Sequence, residues 1–322
     1  MEIVITGGAG FLGQLLLREL LKKASLPDAQ GRPKEIERVN VIDLTPGQLI
    51  DSRVRYVTGN VNDASLLSKL IHPAVGGVFH LAAVVSGTAE ADFDLGMRVN
   101  LAGVQALLEA CRALDTPARI LFASSVAVFG PPLPEVVTDR TTPTPRASYG
   151  VQKLIGELLV GEYTRKGFVD GRSVRIPTVS VRPGRPNGAA SSFASGIIRE
   201  PLTGIEAICP VEAGTMLWIA SPRQVISSLL HAYELPASAW DAQRSLNLPG
   251  ITARVGDMVD ALGRIAGPDV SQRVRWQPDA NIATIVESWP ARFETARADA
   301  MGFSRDASVE AIIQEYIRGY AS

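Results

Sequence analysis

The sequence predicts an α/β protein, a doubly wound parallel sheet with a smaller C-terminal lobe, and three observations predict it. Short β-like runs alternate with longer helix-like stretches through the first half, the order that gives parallel strands with helices on both faces. Most of those runs are uninterrupted apolar text, as strands buried on both faces require. After Arg182 the pattern gives way to loop-rich text punctuated by Pro183, Pro186, Pro201 and Pro210, which reads as a second lobe over the sheet.

The strands are expected at 2–6, 39–42, 54–58, 77–81, 120–124 and 173–182, and the helices between them at 11–23, 64–71, 99–114 and 149–166. The insertion 24–37, with Pro27, Gly31 and Pro33, reads as an exposed excursion between the first helix and the second strand. Residues 221–233 look like a helix returning to the first lobe. Val255, Met258, Val259, Leu262 and Ile265 recur at helical spacing, as do Val309, Ile312, Ile313, Tyr316 and Ile317, so each set packs one apolar stripe on the body.

Composition bounds the function. Of 322 residues, 46% are hydrophobic and 20% charged, which supplies a sizeable core and excludes disorder for most of the length. The 32 basic and 33 acidic residues leave a formal charge of −1, so no global cationic field draws nucleic acid or an anionic membrane, and a small-molecule partner is expected. Cys111 and Cys209 are too few for a disulfide framework and have no zinc spacing, so no metal is expected and a reducing cytoplasm fits best. The N-terminus lacks a basic signal region, and no apolar run reaches the roughly 18 residues of a membrane helix.

Directly after the first strand, Thr6-Gly7-Gly8-Ala9-Gly10-Phe11-Leu12-Gly13 opens the first helix and places Gly7, Gly10 and Gly13 at GxxGxxG spacing. Glycines there permit a tight turn and close approach of a pyrophosphate, which the free N–H groups of the helix N-terminus attract. The context points to a Rossmann-type dinucleotide site, although such turns also arise for steric reasons alone. Asp43, ending the second strand, suits both hydroxyls of an adenosine ribose and repels a 2′-phosphate, favouring NAD over NADP; the other reading of Asp43 is a turn cap. The expected division is therefore a dinucleotide-binding domain over 1–182, completed by about 221–248, with a smaller substrate-binding lobe and C-terminal helices over 183–220 and 249–322.

Tyr149 and Lys153 stand at i and i+4, on one face of a helix, where a phenol and an ammonium can act on one proton. A neighbouring lysine and a positive nicotinamide are expected to lower the phenol toward the working range of a general base. Ser125 closes the fifth strand, at the edge where ligands bind in doubly wound sheets, and can sit beside that base.

Taken together, TGGAGFLG, the HLAA of His80 to Ala83, Asn100, Ser125 with AVFG after it, YGVQK and Arg182-Pro183 resemble the extended short-chain dehydrogenase/reductase family over essentially the whole chain, including Trp289-Pro290 and 298–303. The resemblance implies that Tyr149 takes the hydroxyl proton, that Lys153 holds the nicotinamide ribose and that Ser125 hydrogen-bonds the reacting oxygen. It also implies that Leu81, Ala82 and Ala83 border the cofactor, that Asn60 and Val61 lie around the adenine, and that Asn100 supports a proton-relay water. Asn60 departs from the family's acidic residue and so weakens one adenine contact, while His80 is structural in this motif.

The catalytic set alone does not separate dehydrogenases, which release reduced cofactor, from epimerases, which retain it. Val126 and Ala127 stand where the related dehydratases carry an Asp-Glu pair, which disfavours dehydration. Residues 175–224 resemble the family's D-erythronate dehydrogenases, which oxidise a four-carbon sugar acid at C2 with NAD; nucleotide-sugar epimerisation and silent NAD binding are the alternatives. Arg185, Arg199 and Arg223 are the available forks for a carboxylate, and by analogy with related uronate dehydrogenases Ser86, Thr178 and the loop from Arg185 to Asn187 are the expected substrate contacts. In many relatives the helices corresponding to 99–114 and 149–166 pair across a two-fold axis, so the resemblance also implies a homodimer.

Overall fold

The computed structural model describes residues 1–320 and centres on a seven-stranded parallel sheet. In chain order its elements are β1 (Glu2–Thr6), α1 (Phe11–Lys22), β2 (Arg38–Asp43), β3 (Val54–Thr58), α2 (Ala64–Leu70), β4 (Val75–His80), α3 (Gly103–Arg112), β5 (Arg119–Ser125), α4 (Ser148–Arg165), β6 (Asp170–Ile176), α5 (Pro222–Glu234) and β7 (Ser245–Asn247). The strands lie in the order β7-β6-β5-β4-β1-β2-β3. Strands are therefore added outward in opposite directions from β1 and β4, all running parallel, and this switch point opens a crevice at the C-terminal ends of the strands.

Both faces are covered, which is why the strands carry apolar residues on either side. Ile3, Ile5, Val39 and Val41 face α1 and α5, while Val4, Ile42, Val78 and Ile120 face α2 and α3. A separate apolar core, including Ile197, Ile198, Leu217, Ile219, Val255, Met258, Leu262, Ile312 and Ile313, holds the smaller lobe together. Its helices Phe193–Leu202, Val255–Ala266 and Val309–Tyr320 surround a short sheet in which Met216–Ala220 pairs with Thr178–Val179 on one side and Ile251–Arg254 on the other.

Local detail departs from or adds to the expected elements at several points. The run expected as one strand over 173–182 ends at Ile176, because Pro177 has no N–H to continue the ladder, and Thr178–Val179 then joins the sheet of the smaller lobe. The insertion 24–37 is mostly exposed, as expected, but ordered: Ser25–Pro27 and Pro33–Glu35 form an antiparallel hairpin, with Leu26 and Ile36 buried in the main core. Asp28 fastens its turn by accepting from the backbone N–H groups of Gln30 and Arg32 at 3.0 and 2.9 Å. The helix expected over 99–114 starts as a π-helical turn, Met97–Ala102, before continuing as α3. Phe193–Leu202 is a helix within text expected to be loop-rich, and Ser86–Ala91 and Ala280–Glu287 are further helices in stretches to which the pattern assigns no element.

Candidate active site

The crevice at the sheet's C-terminal edge is a cleft of about 570 Å³ lined from both lobes. Gly7, at φ +70°, turns the chain out of β1, and a Cβ there would stand 2.6 Å from the Ala82 nitrogen. At Gly13 a Cβ would meet the Gly8 Cα at 2.4 Å, so the loop and α1 can pack only without side chains at these points. Gly10, the N-cap of α1, has no side chain to satisfy the first N–H groups of the helix, which are left for an anion at the cleft wall. Phe11 and Leu12 border the same wall, opposite Leu81, Ala82 and Ala83.

Asp43 projects from the end of β2, accepting from the Ala9 N–H at 2.9 Å and the Leu44 N–H at 2.7 Å. These bonds fix its carboxylate at the rim while leaving acceptor capacity for a diol, so capping and ligand binding coexist in one side chain. Asn60 and Val61 line the cleft beside it. His80 lies behind the wall with its Nδ1 2.6 Å from the Thr6 hydroxyl, and burial pushes its imidazole down to about 3. A ring held neutral and enclosed is structural.

Asn100 is held by its neighbours. Its Oδ1 accepts from the Val84 N–H at 2.7 Å, and its Nδ2 donates to the Val84 carbonyl and to Gln152 Oε1 at 3.0 and 2.8 Å. With both amide hydrogens committed and the residue buried outside the cleft lining, the Asn100 side chain ties the loop after β4 to α4.

The chemistry-bearing residues converge where β5 meets α4. Ser125, at the end of β5, accepts from the Ala127 N–H at 3.1 Å and stabilises the anion of the adjacent Tyr149 phenol. Lys153 donates to the Ala123 carbonyl at 2.8 Å, and its ammonium sits 4.8 Å from the Phe122 ring centroid and 5.7 Å from that of Tyr149. The expected lowering of the phenol draws on a nicotinamide as well as on Lys153; in the protein alone burial pushes Tyr149 up to about 12, opposed by Ser125 and by the Arg182 charge. Burial likewise brings Lys153 down to about 7, against the pull of Glu157, so in this structure the cation acting on Tyr149 is Arg182.

Ser86, Thr178 and Asn187, the residues expected to contact substrate, also line the cleft. Ser86 Oγ accepts from the Ala190 N–H at 3.1 Å, and Asn187 Oδ1 accepts from the Ala189 N–H at 3.1 Å, so both also shape the loop of the smaller lobe. None of the three arginines weighed from the sequence lines the cleft. Arg185 is exposed on that loop, Arg199 is buried with its Nη1 on the Arg182 carbonyl at 2.7 Å, and Arg223 is exposed against Glu315.

Residues 3–217 match the NAD dependent epimerase/dehydratase family, a span that holds the glycine cradle, Ser125, Tyr149 and Lys153. The chain belongs to that family. A D-erythronate dehydrogenase of Cupriavidus necator is 52% identical over 318 residues, covering 98% of each chain. Another, from Haemophilus influenzae, is 41% identical over 321 residues, covering 98% of this chain and 99% of its own. A solved structure described as a nucleoside-diphosphate-sugar epimerase, from Agrobacterium tumefaciens, superposes with a TM-score of 0.92 at 39% identity, covering 99% of this chain and 94% of that one.

As a member of the NAD dependent epimerase/dehydratase family, the protein is an NAD-dependent oxidoreductase acting on CH–OH groups. Its cradle fits that cofactor: bare backbone and a helix N-terminus stand where a pyrophosphate lies, and Asp43 stands where a 2′-phosphate would be repelled. Ser191, Trp289 and Arg182 also line the cleft, and no motif in the sequence gives them a role there. Trp289 reaches the site from the C-terminal part of the chain, beyond the range of any local pattern.

Proposed function

We propose that the protein oxidises D-erythronate at C2 to the 2-oxo acid, with Tyr149 as general base. The observation that carries the reading is the convergence of Ser125, Tyr149 and Lys153 at the end of β5, opposite a glycine cradle, in a chain 52% identical to a D-erythronate dehydrogenase. NAD, when bound, supplies the hydride acceptor. Ser125 holds the C2 oxygen, and Tyr149 Oη receives the hydroxyl proton as the C2–H bond breaks. Lys153 holds the nicotinamide ribose, and the Arg182 charge favours the phenolate. Ser86, Thr178 and the Asn187 side of the loop position the remaining hydroxyls, which leaves the sheet domain to hold the cofactor and the smaller lobe to select the substrate.

The solved epimerase relative keeps a second reading in view, nucleotide-sugar epimerisation with retained NAD. The lining supports it less: its charged residues are Asp43, Lys153 and Arg182, which leaves Arg182 alone for a second diphosphate. Absorbance at 340 nm decides between them. D-Erythronate with NAD should give one NADH per 2-oxo acid formed; product without net NADH overturns the dehydrogenase reading.

A homodimer across α3 and α4 follows the same reading. Support comes from Val151 and Leu158, two positions on the outer face of α4 that are 42% and 66% exposed. A monomeric mass in solution would exclude it. Two free, buried cysteines suit a reducing cytoplasm.

A further inference from the structure

We propose that Arg182 is the carboxylate-binding and specificity-determining residue of this cleft, a role that rests on the sugar-acid reading above. Among the described residues its guanidinium has no acidic partner, and its Nη2 is enclosed without any hydrogen-bond acceptor. A guanidinium so placed is costly unless an anion completes it.

The backbone around Arg182 is fixed for the purpose. Its N–H donates to Ser195 Oγ at 3.0 Å, and its carbonyl accepts from Arg199 Nη1 at 2.7 Å, so the buried helix Phe193–Leu202 holds the residue from two sides. Arg199 is itself neutralised by Glu200. That leaves Arg182 as the uncommitted cation on this wall, beside Thr178 and facing Tyr149 closely enough for its charge to favour the phenolate.

The position selects the ligand. A pyrophosphate belongs at the N-terminus of α1, across the cleft, whereas Arg182 stands with the base and the hydroxyl-bearing residues. In a 2-hydroxy acid the carboxylate is bonded directly to the carbon that is oxidised. An Arg182 fork on C1 therefore delivers the C2 hydroxyl to Tyr149 and Ser125, and the planar guanidinium suits the two carboxylate oxygens as an ammonium does not. A neutral polyol of the same length lacks that anchor.

The test pairs Arg182→Met and Arg182→Lys with two substrates, D-erythronate and its uncharged C1 amide. Wild type should prefer the acid, and Arg182→Met should lower kcat/KM for the acid by about 100-fold more than for the amide, mainly through KM, any loss common to both substrates reporting the missing cation beside Tyr149. Arg182→Lys should recover part of the loss. NAD affinity, read by tryptophan fluorescence, should be unchanged in both, which shows the variants folded.

A calorimetric titration of D-erythronate into NAD-loaded Tyr149→Phe, with and without Arg182→Met, separates this proposal from the reaction reading. If no sugar acid yields NADH but binding still depends on Arg182, the reaction reading fails and the anchor stands. If Arg182→Met keeps the acid's kcat/KM within threefold, or leaves the titration unchanged, the anchor is overturned.

Discussion

Glu157 lies one helical turn past Lys153 on α4, and its buried charge opposes the desolvation that brings the Lys153 ammonium down to about 7. The same carboxylate accepts from Ser124 Oγ at 2.5 Å and pairs with Arg175 Nη2 at 2.7 Å, so the residue preceding Ser125 and the helix bearing Tyr149 are tied to one group. Glu157→Gln should therefore do two things. It should cost about 3–5 kcal/mol in chemical denaturation by stranding the Arg175 guanidinium. It should also lower the Lys153 pKa further, so that in protein that remains folded the pH at which activity is lost through Lys153 deprotonation moves down. An unchanged pH–rate profile would remove Glu157 from this role.

The cradle gives a steric prediction. Gly13→Ala places a methyl 2.4 Å from the Gly8 Cα and 2.5 Å from the Gly7 carbonyl, backbone atoms that cannot rotate away. The turn must shift outward, into the space for the cofactor. NAD affinity measured by calorimetry should fall at least tenfold, with a stability loss of about 1–3 kcal/mol. Wild-type affinity in this variant would mean that the pyrophosphate does not lie against this turn.

Parts of this architecture were legible because their signals are local. The glycine cradle lies within one turn, Tyr149 and Lys153 are neighbours by helical geometry, and β1 and β3 end at turn residues. Arg182 and Arg185 are three positions apart in a proline-bounded stretch, where no regular period dictates which side chain faces the cleft; the contacts from Ser195 and Arg199 decide it. The tie from Asn100 to Gln152 was not legible because the two are 52 positions apart in the chain. The exposure of 24–37 was legible but its hairpin form was not, because Leu26 and Ile36, the apolar residues that anchor it, stand alone in polar text. Burial also opposes the lowering expected at Tyr149, since spacing reveals a neighbouring charge but not the loss of water around the phenol.

His80 makes acid stability testable. Its imidazole ordinarily titrates near 6.5 but is pushed down to about 3 when folded, so at intermediate pH the unfolded chain binds more protons. Stability from this residue is fully present above about 6.5 and is lost as pH falls toward 3, by up to about 4 kcal/mol. His80→Asn, which keeps a polar partner for Thr6, should flatten the dependence of Tm on pH across that window. An unaltered slope would show that His80 does not control it.

Tyr149→Phe tests the centre of the mechanism. The ring packs beside Lys153 and Ser125, so deleting its oxygen leaves the fold and the cradle in place while removing the proton acceptor. NADH formation should fall by about 10³-fold or more, in the range of a lost general base, with NAD affinity within about twofold of wild type. In wild type, burial sets the phenol at about 12 in the ligand-free protein, so the cations that gather around it in the complex must bring it down. The apparent pKa of kcat/KM should accordingly rise when the Arg182 charge is removed, because that cation favours the phenolate. Tyr149→Phe with more than a tenth of wild-type activity would mean that another group takes the proton, and the shift expected on removing Arg182 would lose its basis.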